Sequence, residues 1–237
     1  PDQHGVKFMC GIDYFTHPFL PVFYISVFDV ATRIPLLISA PWLKQTHGEK
    51  TQAFAEAVDI FQTLSELAGI PVPASEMVQG KSLVPVLRAP SDPAAAVHQV
   101  ALSQFPRCWQ NQTAVNGGLQ RCGDENNNSN VPENMCDCHW ASNAGISFMG
   151  YSMRTDSPFP LRFTQWVRWN VTRPLWDDVY ATELYNHTGD TGDAFATDAF
   201  ENVNEADDPL LEGLVARLGE QLQREFAPYI LANALAK

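Results

Sequence analysis

Basic residues are scarce in this 237-residue sequence: 15 Lys and Arg stand against 27 Asp and Glu, a formal net charge of −12. Nucleic acid and anionic membrane surfaces are held by clustered Lys and Arg, so the balance argues against both as partners. Long apolar runs are lacking as well. The longest, residues 18–28, contains Pro21 and is too short to cross a bilayer. Several chemistry-bearing motifs are missing. There is no G-x-S-x-G elbow, no G-x-G-x-x-G, no P-loop and no H-E-x-x-H. No cysteine sits in a recognisable nucleophile context, so thiol catalysis has no anchor here.

What is present is a globular balance, with 45% hydrophobic and 18% charged residues, enough apolar content to bury a core. The length suits one large domain or one and a half smaller ones. The first residue is Pro1 rather than Met, which suggests a processed chain or one cut from a longer product.

Five cysteines cannot all pair within the chain. Cys108, Cys122, Cys136 and Cys138 share one polar loop over 107–144, while Cys10 stands apart. This clustering predicts disulfides and an oxidising compartment. Cys136 and Cys138 are too close to pair with each other without strain. Zinc is the alternative, since Cys136-Asp-Cys138-His139 offers suitable ligand types but no C-x-x-C pair. N-x-S/T sequons at Asn111, Asn127, Asn170 and Asn186 also favour the secretory pathway, lysosomal, vacuolar or extracellular.

Periodicity places the elements. Residues 28–41, FDVATRIPLLISAP, read as a strand buried on both faces, as in an α/β sheet. Residues 53–69 read as a helix stopped by Gly69. A Pro-rich connection follows, with a boundary near residue 90. HQVALSQFP, ISFMGYSMRT, LRFTQWVRWN and YATELYNHT read as strands, the last three as an antiparallel meander. Residues 209–229 carry Leu211, Leu214, Leu218, Leu222 and Phe226 on one helical stripe. The whole reads as a mixed α/β architecture with a smaller α+β lobe.

Few residues suggest ligand chemistry by themselves. His47 lies beyond the expected strand's carboxyl end, where open α/β sheets bind ligands, and is the one candidate for a substrate rim. GDTGD, residues 189–193, fits a solvated turn better than a calcium loop, because it lacks a full set of spaced oxygen ligands. Asp177 and Asp178 read as an exposed acidic turn. Trp140, Trp166, Trp169 and Trp176 suit packing of the small lobe, with stacking on sugar rings as the alternative.

Taken together, these stretches resemble the C-terminal part of the sulfatase family. FDVATRIPLLISAP resembles the strand that follows the catalytic half. VDIFQTLSELAGIPVP with QGKSLVPVL resembles the helix and tail that close the large domain. ALSQFPR, MGYSMRT and LRFTQWVRWN are similar to the small domain, and ELYNHTGDTGD with FENVN to the terminal turn. The resemblance spans about residues 28–205 in patches; the cysteine loop does not match closely. It implies the C-terminal end of an alkaline-phosphatase-like α/β domain over 28–90 and a small subdomain with an antiparallel sheet and terminal helix over 91–237.

The same resemblance implies hydrolysis of sulfate esters, with sulfated carbohydrate as substrate and calcium as the parent family's metal. The family's nucleophile motif, C/S-x-P-x-R, follows none of the five cysteines, and its calcium-binding Asp-Asp and Asp-His pairs are missing. The family's Lys before the first strand is replaced by Tyr24, Ile25, Ser26 and Val27, with Lys7 far upstream. Residues 1–27 are therefore expected to be foreign to the fold, as from translated intron, a faulty gene model or truncation. No catalytic residue and no metal ligand is carried over, and the chain alone is expected to be inactive, without bound calcium. Asp29 and Arg33 are expected to be structural, since charges flanking a buried element need partners. A secreted glycan-binding module is the alternative function, and a product without function the third.

Overall fold

In the computed structural model the described residues are 15–17, 20–22, 27–72, 78–108, 146–170, 172–191 and 200–235. They divide between two compact units. One takes its residues from 1–103, 153–162 and 186–201, the other from 104–152, 163–185 and 202–237.

The first unit opens with a two-stranded antiparallel pair, β1 (Phe15–His17) and β2 (Leu20–Val22), in the register Phe15↔Val22 and His17↔Leu20. A single helical turn follows, α1 (Asp29–Thr32). The expected buried strand does not form. Residues 34–39 are extended but belong to no sheet, and Ile34, Leu36 and Leu37 are exposed. An apolar run without a neighbouring strand to pair with has the pattern of a sheet interior and none of its hydrogen bonds.

Helix α2 (Asp59–Ala68) starts six residues later than the periodicity predicts. Asp59 sets that start: its carboxylate accepts the amides of Glu56 (2.7 Å) and Lys81 (2.8 Å), holding the preceding chain in a turn. The end falls as expected. Gly69 adopts φ 67° and its amide and that of Ile70 close the last turn onto Glu66 and Ser65, the Schellman arrangement. Phe61 and Leu64, on the predicted apolar stripe, are exposed. The Pro-rich connection contains a short helix, α3 (Val84–Arg88), which a proline in the first turn permits because no intrahelical donor is lost there. Val84 and Val86 from it are buried, as is Leu83 just before it.

Four strands form one antiparallel sheet in the order β3 (Val100–Cys108), β4 (Ile146–Thr155), β5 (Leu161–Asn170) and β6 (Arg173–Asn186). The meander is as read from sequence, but β6 begins seven residues before Tyr180 and takes in Asp177 and Asp178. Those residues are exposed, as expected, yet sit in a strand rather than a turn; Asp178 accepts from Arg168 on β5 at 2.6 Å.

In the second unit, α4 (Glu212–Leu235) buries Leu218, Leu222 and Phe226. Phe226 meets Tyr151 edge-on at 4.7 Å, and Trp176 packs against the same tyrosine at 4.8 Å. Burial pushes the Tyr151 phenol far above its usual range. Gly150 lies directly under Trp166, whose ring a Cβ at that position would meet at 2.6 Å.

Candidate functional site: a buried arginine–carboxylate–histidine network

Among the described residues the strongest concentration of charge lies in the first unit, and five separate stretches build it. Asp29 opens α1, and its amide donates to Glu201 at 2.8 Å. Arg33 caps the same turn and donates from Nη1 to both oxygens of Asp190 at 2.9 Å. Arg154 comes from the end of β4 and Arg162 from the start of β5. His187 follows β6, and the turn after it supplies Asp190.

Arg162 is the hub. Its side chain is 3% exposed, and it engages Asp29 through Nη2 and Glu201 through Nε (2.6 Å). It also donates to the Val27 carbonyl (2.7 Å) and the Thr32 hydroxyl (3.2 Å). His187 is buried, with Nδ1 3.0 Å from Asp190 and Nε2 3.4 Å from Glu201, and its ring stacks on Phe200. Arg154 lies 3.7 Å from Asp29 and 3.8 Å from Asp190. Burial draws its guanidinium below the usual arginine range, and the Asp190 charge opposes that shift.

Three guanidiniums thus face three carboxylates around one imidazole, a balanced set that a buried site requires. Asp29, His187 and Glu201 bring ligand atoms within 4.8 Å of one another, the spacing of a metal site. The chemistry of the set opposes a dication. Arg162 already occupies both carboxylates, and Arg33 and Arg154 add two further positive charges beside Asp29. These residues do not fit the calcium of the sulfatase family. The network holds strands and turns in place; it presents no nucleophile.

A second buried group surrounds Asp59. His98 Nε2 lies 2.9 Å from its carboxylate, and Thr63 links α2 to the Leu83 amide. Burial works against ionising Asp59, but the bonds from His98 and from the Lys81 and Glu56 amides outweigh it and lower its pKa. Glu56 is raised by burial, although its carboxylate accepts the Leu102 amide at 2.7 Å.

Asp29 and Arg33 therefore have the partners expected of structural charges. His47 is exposed at the end of a short 3-10 turn, Lys44–Thr46, where its amide donates to the Lys44 carbonyl. Asn170 and Asn186 are exposed, and Asn186 Oδ1 accepts the Thr188 amide at 2.9 Å. Cys108 ends β3. The strand takes in 107 and 108, the first two residues of the expected loop, since the strand pairing runs on past its apolar part; Cys10, Cys122, Cys136, Cys138, Asn111, Asn127 and Trp140 lie outside the described residues, as do loop residues 109–144 with the disulfide and zinc readings. Gly189 turns with φ 87°, but GDTGD is not the solvated turn expected: the Asp190 carboxylate is buried against Arg33 and His187, because a turn that follows a strand into the network can carry one of its anions inward, and residues 192–193 lie outside the described residues.

Arg154, Arg162, His187, Glu201, Asp59 and His98 were not singled out from sequence. Arg162 carried a signal: a charged residue inside an apolar strand pattern needs a partner. Compared with protein-family models and with curated proteins, the sequence gives no match.

Proposed function

We propose that this chain is the C-terminal part of a sulfatase, most similar to iduronate-2-sulfatase, that hydrolyses sulfate esters of a sulfated polysaccharide. In this reading it supplies the closing edge of an alkaline-phosphatase-like α/β domain and a small lobe at the substrate rim. Nucleophile, calcium ligands and sulfate-holding cations belong to the part before Phe28.

One observation carries the reading. FDVATR, MGYSMRT, LRFTQWVRWN, ELYNHTGD and FENVN each resemble the family separately. Each sends a charged side chain into the same buried network: Asp29 and Arg33, Arg154, Arg162, His187 and Asp190, and Glu201. The stretches are up to 172 residues apart and form one structural assembly. The exposed apolar segment 34–39 and the exposed face of α2 fit the same reading, because an α/β domain would cover both with further sheet.

The test joins this chain from Phe28 to the in-frame sequence encoded upstream in the genome and assays an aryl sulfate. Turnover by the joined protein and none by residues 1–237 is the expected result. Turnover by the 237-residue chain itself would overturn the assignment of the chemistry to the missing part.

A glycan-binding module is the second reading. It draws on an open cavity of about 420 Å³ lined by Arg173, Trp176, Asp177 and Gln223, a planar aromatic among planar polar groups. Trp176→Ala should abolish retention on a neutral oligosaccharide matrix if this reading holds; equal elution of both proteins with the void would eliminate it.

A further inference from the structure

Two of the N-x-S/T sequons have their asparagine among the described residues, and the fold treats them differently. Asn170-Val171-Thr172 sits at the tip of the β5–β6 hairpin: Asn170 is the last residue of β5, and β6 begins at Arg173. Asn170 and Thr172 are both exposed, as are Arg168 and Arg173 on either side. The Thr172 amide and hydroxyl (3.2 Å) donate to the Asn170 carbonyl, so these bonds hold the turn through the Asn170 main chain and not through its side-chain amide. The sequon Asn186-His187-Thr188 is built into the fold instead. His187 is buried in the charge network, its amide donates to the Pro160 carbonyl at 2.8 Å, and the Asn186 side chain accepts the Thr188 amide at 2.9 Å.

Attaching an oligosaccharide needs the asparagine amide and the hydroxyl two residues on to be presented together, and the folded protein must then leave a bulky, hydrated group in solvent. A short loop at the end of a hairpin meets both needs. We infer that Asn170 carries an N-linked oligosaccharide. In the step, Asn170 Nδ2 forms a bond to C1 of the sugar, and the bond from C1 to the pyrophosphate of a lipid-linked oligosaccharide breaks. The lipid pyrophosphate leaves with the electron pair, and the amide gives up one proton. The Thr172 hydroxyl positions the sequon and is not consumed. The inference rests on the expected secretory route and not on the sulfatase reading.

The test supplies that route. The 237-residue chain behind a cleavable signal peptide is translated with microsomal membranes that carry the lipid-linked oligosaccharide. The protease-protected material is digested and treated with peptide N-glycosidase in heavy-oxygen water, which turns each asparagine that held a glycan into a labelled aspartate. Label at position 170 is the expected result. Asn170→Gln and Thr172→Ala should each remove it, and Thr172→Ser, which keeps the hydroxyl, should retain it. The label is read on translocated chain whether or not a variant folds. Translocated chain without label at position 170 overturns the proposal, and so does label at position 186 in its place or label at 170 that survives Thr172→Ala. The glycosylated protein and Asn170→Gln should share one urea midpoint; a midpoint lowered by the glycan would overturn the placement of Asn170 at an open tip.

Discussion

Replacing Asp29 with alanine removes one carboxylate from a buried set of three that faces three guanidiniums. Asp29 is 3% exposed and binds Arg162 directly, with Arg33, Arg154 and His187 all within 3.8 Å of Oδ2. In the variant Arg162 keeps Glu201 and the Val27 carbonyl but loses its other anion, and it has no route to solvent. Breaking a buried pair from one side costs about 3–5 kcal/mol, because the surviving charge stays desolvated. At about 2–4 °C per kcal/mol for a chain of this size, Tm should fall by roughly 6–20 °C. The assay is urea and thermal unfolding followed by tryptophan fluorescence. Asp178→Ala is the control. Its pair with Arg168 is as short, at 2.6 Å, but both side chains are about half exposed, so the loss should stay below about 1 kcal/mol. The double variant Asp29→Ala/Arg162→Met should recover part of the stability by removing the stranded charge. An Asp29→Ala loss no larger than that of Asp178→Ala would refute the picture of a desolvated network.

Three further predictions concern other buried contacts. Asp59 ionises more readily in the folded state, so it binds fewer protons there than when unfolded; its stabilisation is full above its ordinary pKa of 3.8 and is lost as pH falls through the lower folded value. Asp59→Asn should therefore destabilise at pH 7, and the gap from the parent should close in acid. Glu56 has the opposite sign: its pKa is raised above 4.5 on folding, so the folded state binds more protons and loses stability as pH rises through that window. Glu56→Gln should hold or raise stability at pH 7, and chemical denaturation across pH checks both signs. Gly150→Ala drives a methyl into the Trp166 ring and should cost about 1–3 kcal/mol by overpacking, read from the urea midpoint; an unchanged midpoint would count against the packing of β4 on that ring.

The sequence was most informative where periodicity and caps act locally. The Gly69 stop, the meander strands and the buried stripe of α4 follow from turn residues and spacing that each segment carries itself. It misled over 28–41, because an apolar run records what a segment can bury and not whether a neighbouring strand is there to bury it. The start of α2 was misplaced for a related reason: Asp59 is held by the Lys81 amide, 22 residues on. The network was read at Asp29 and Arg33, and Arg162 carried a further signal as a charge inside an apolar strand pattern. Its other members lie on strands and turns far along the chain, and nothing local distinguishes a histidine such as His187 from one on the surface.

The most direct test of the central proposal is the sequence of the transcript that carries the Phe28 codon. The sulfatase reading expects an open frame running upstream of that codon that encodes C/S-x-P-x-R, together with the paired aspartates of a calcium site. A transcript whose own start codon opens directly onto residues 1–27, with no such motif in frame before Phe28, would contradict it.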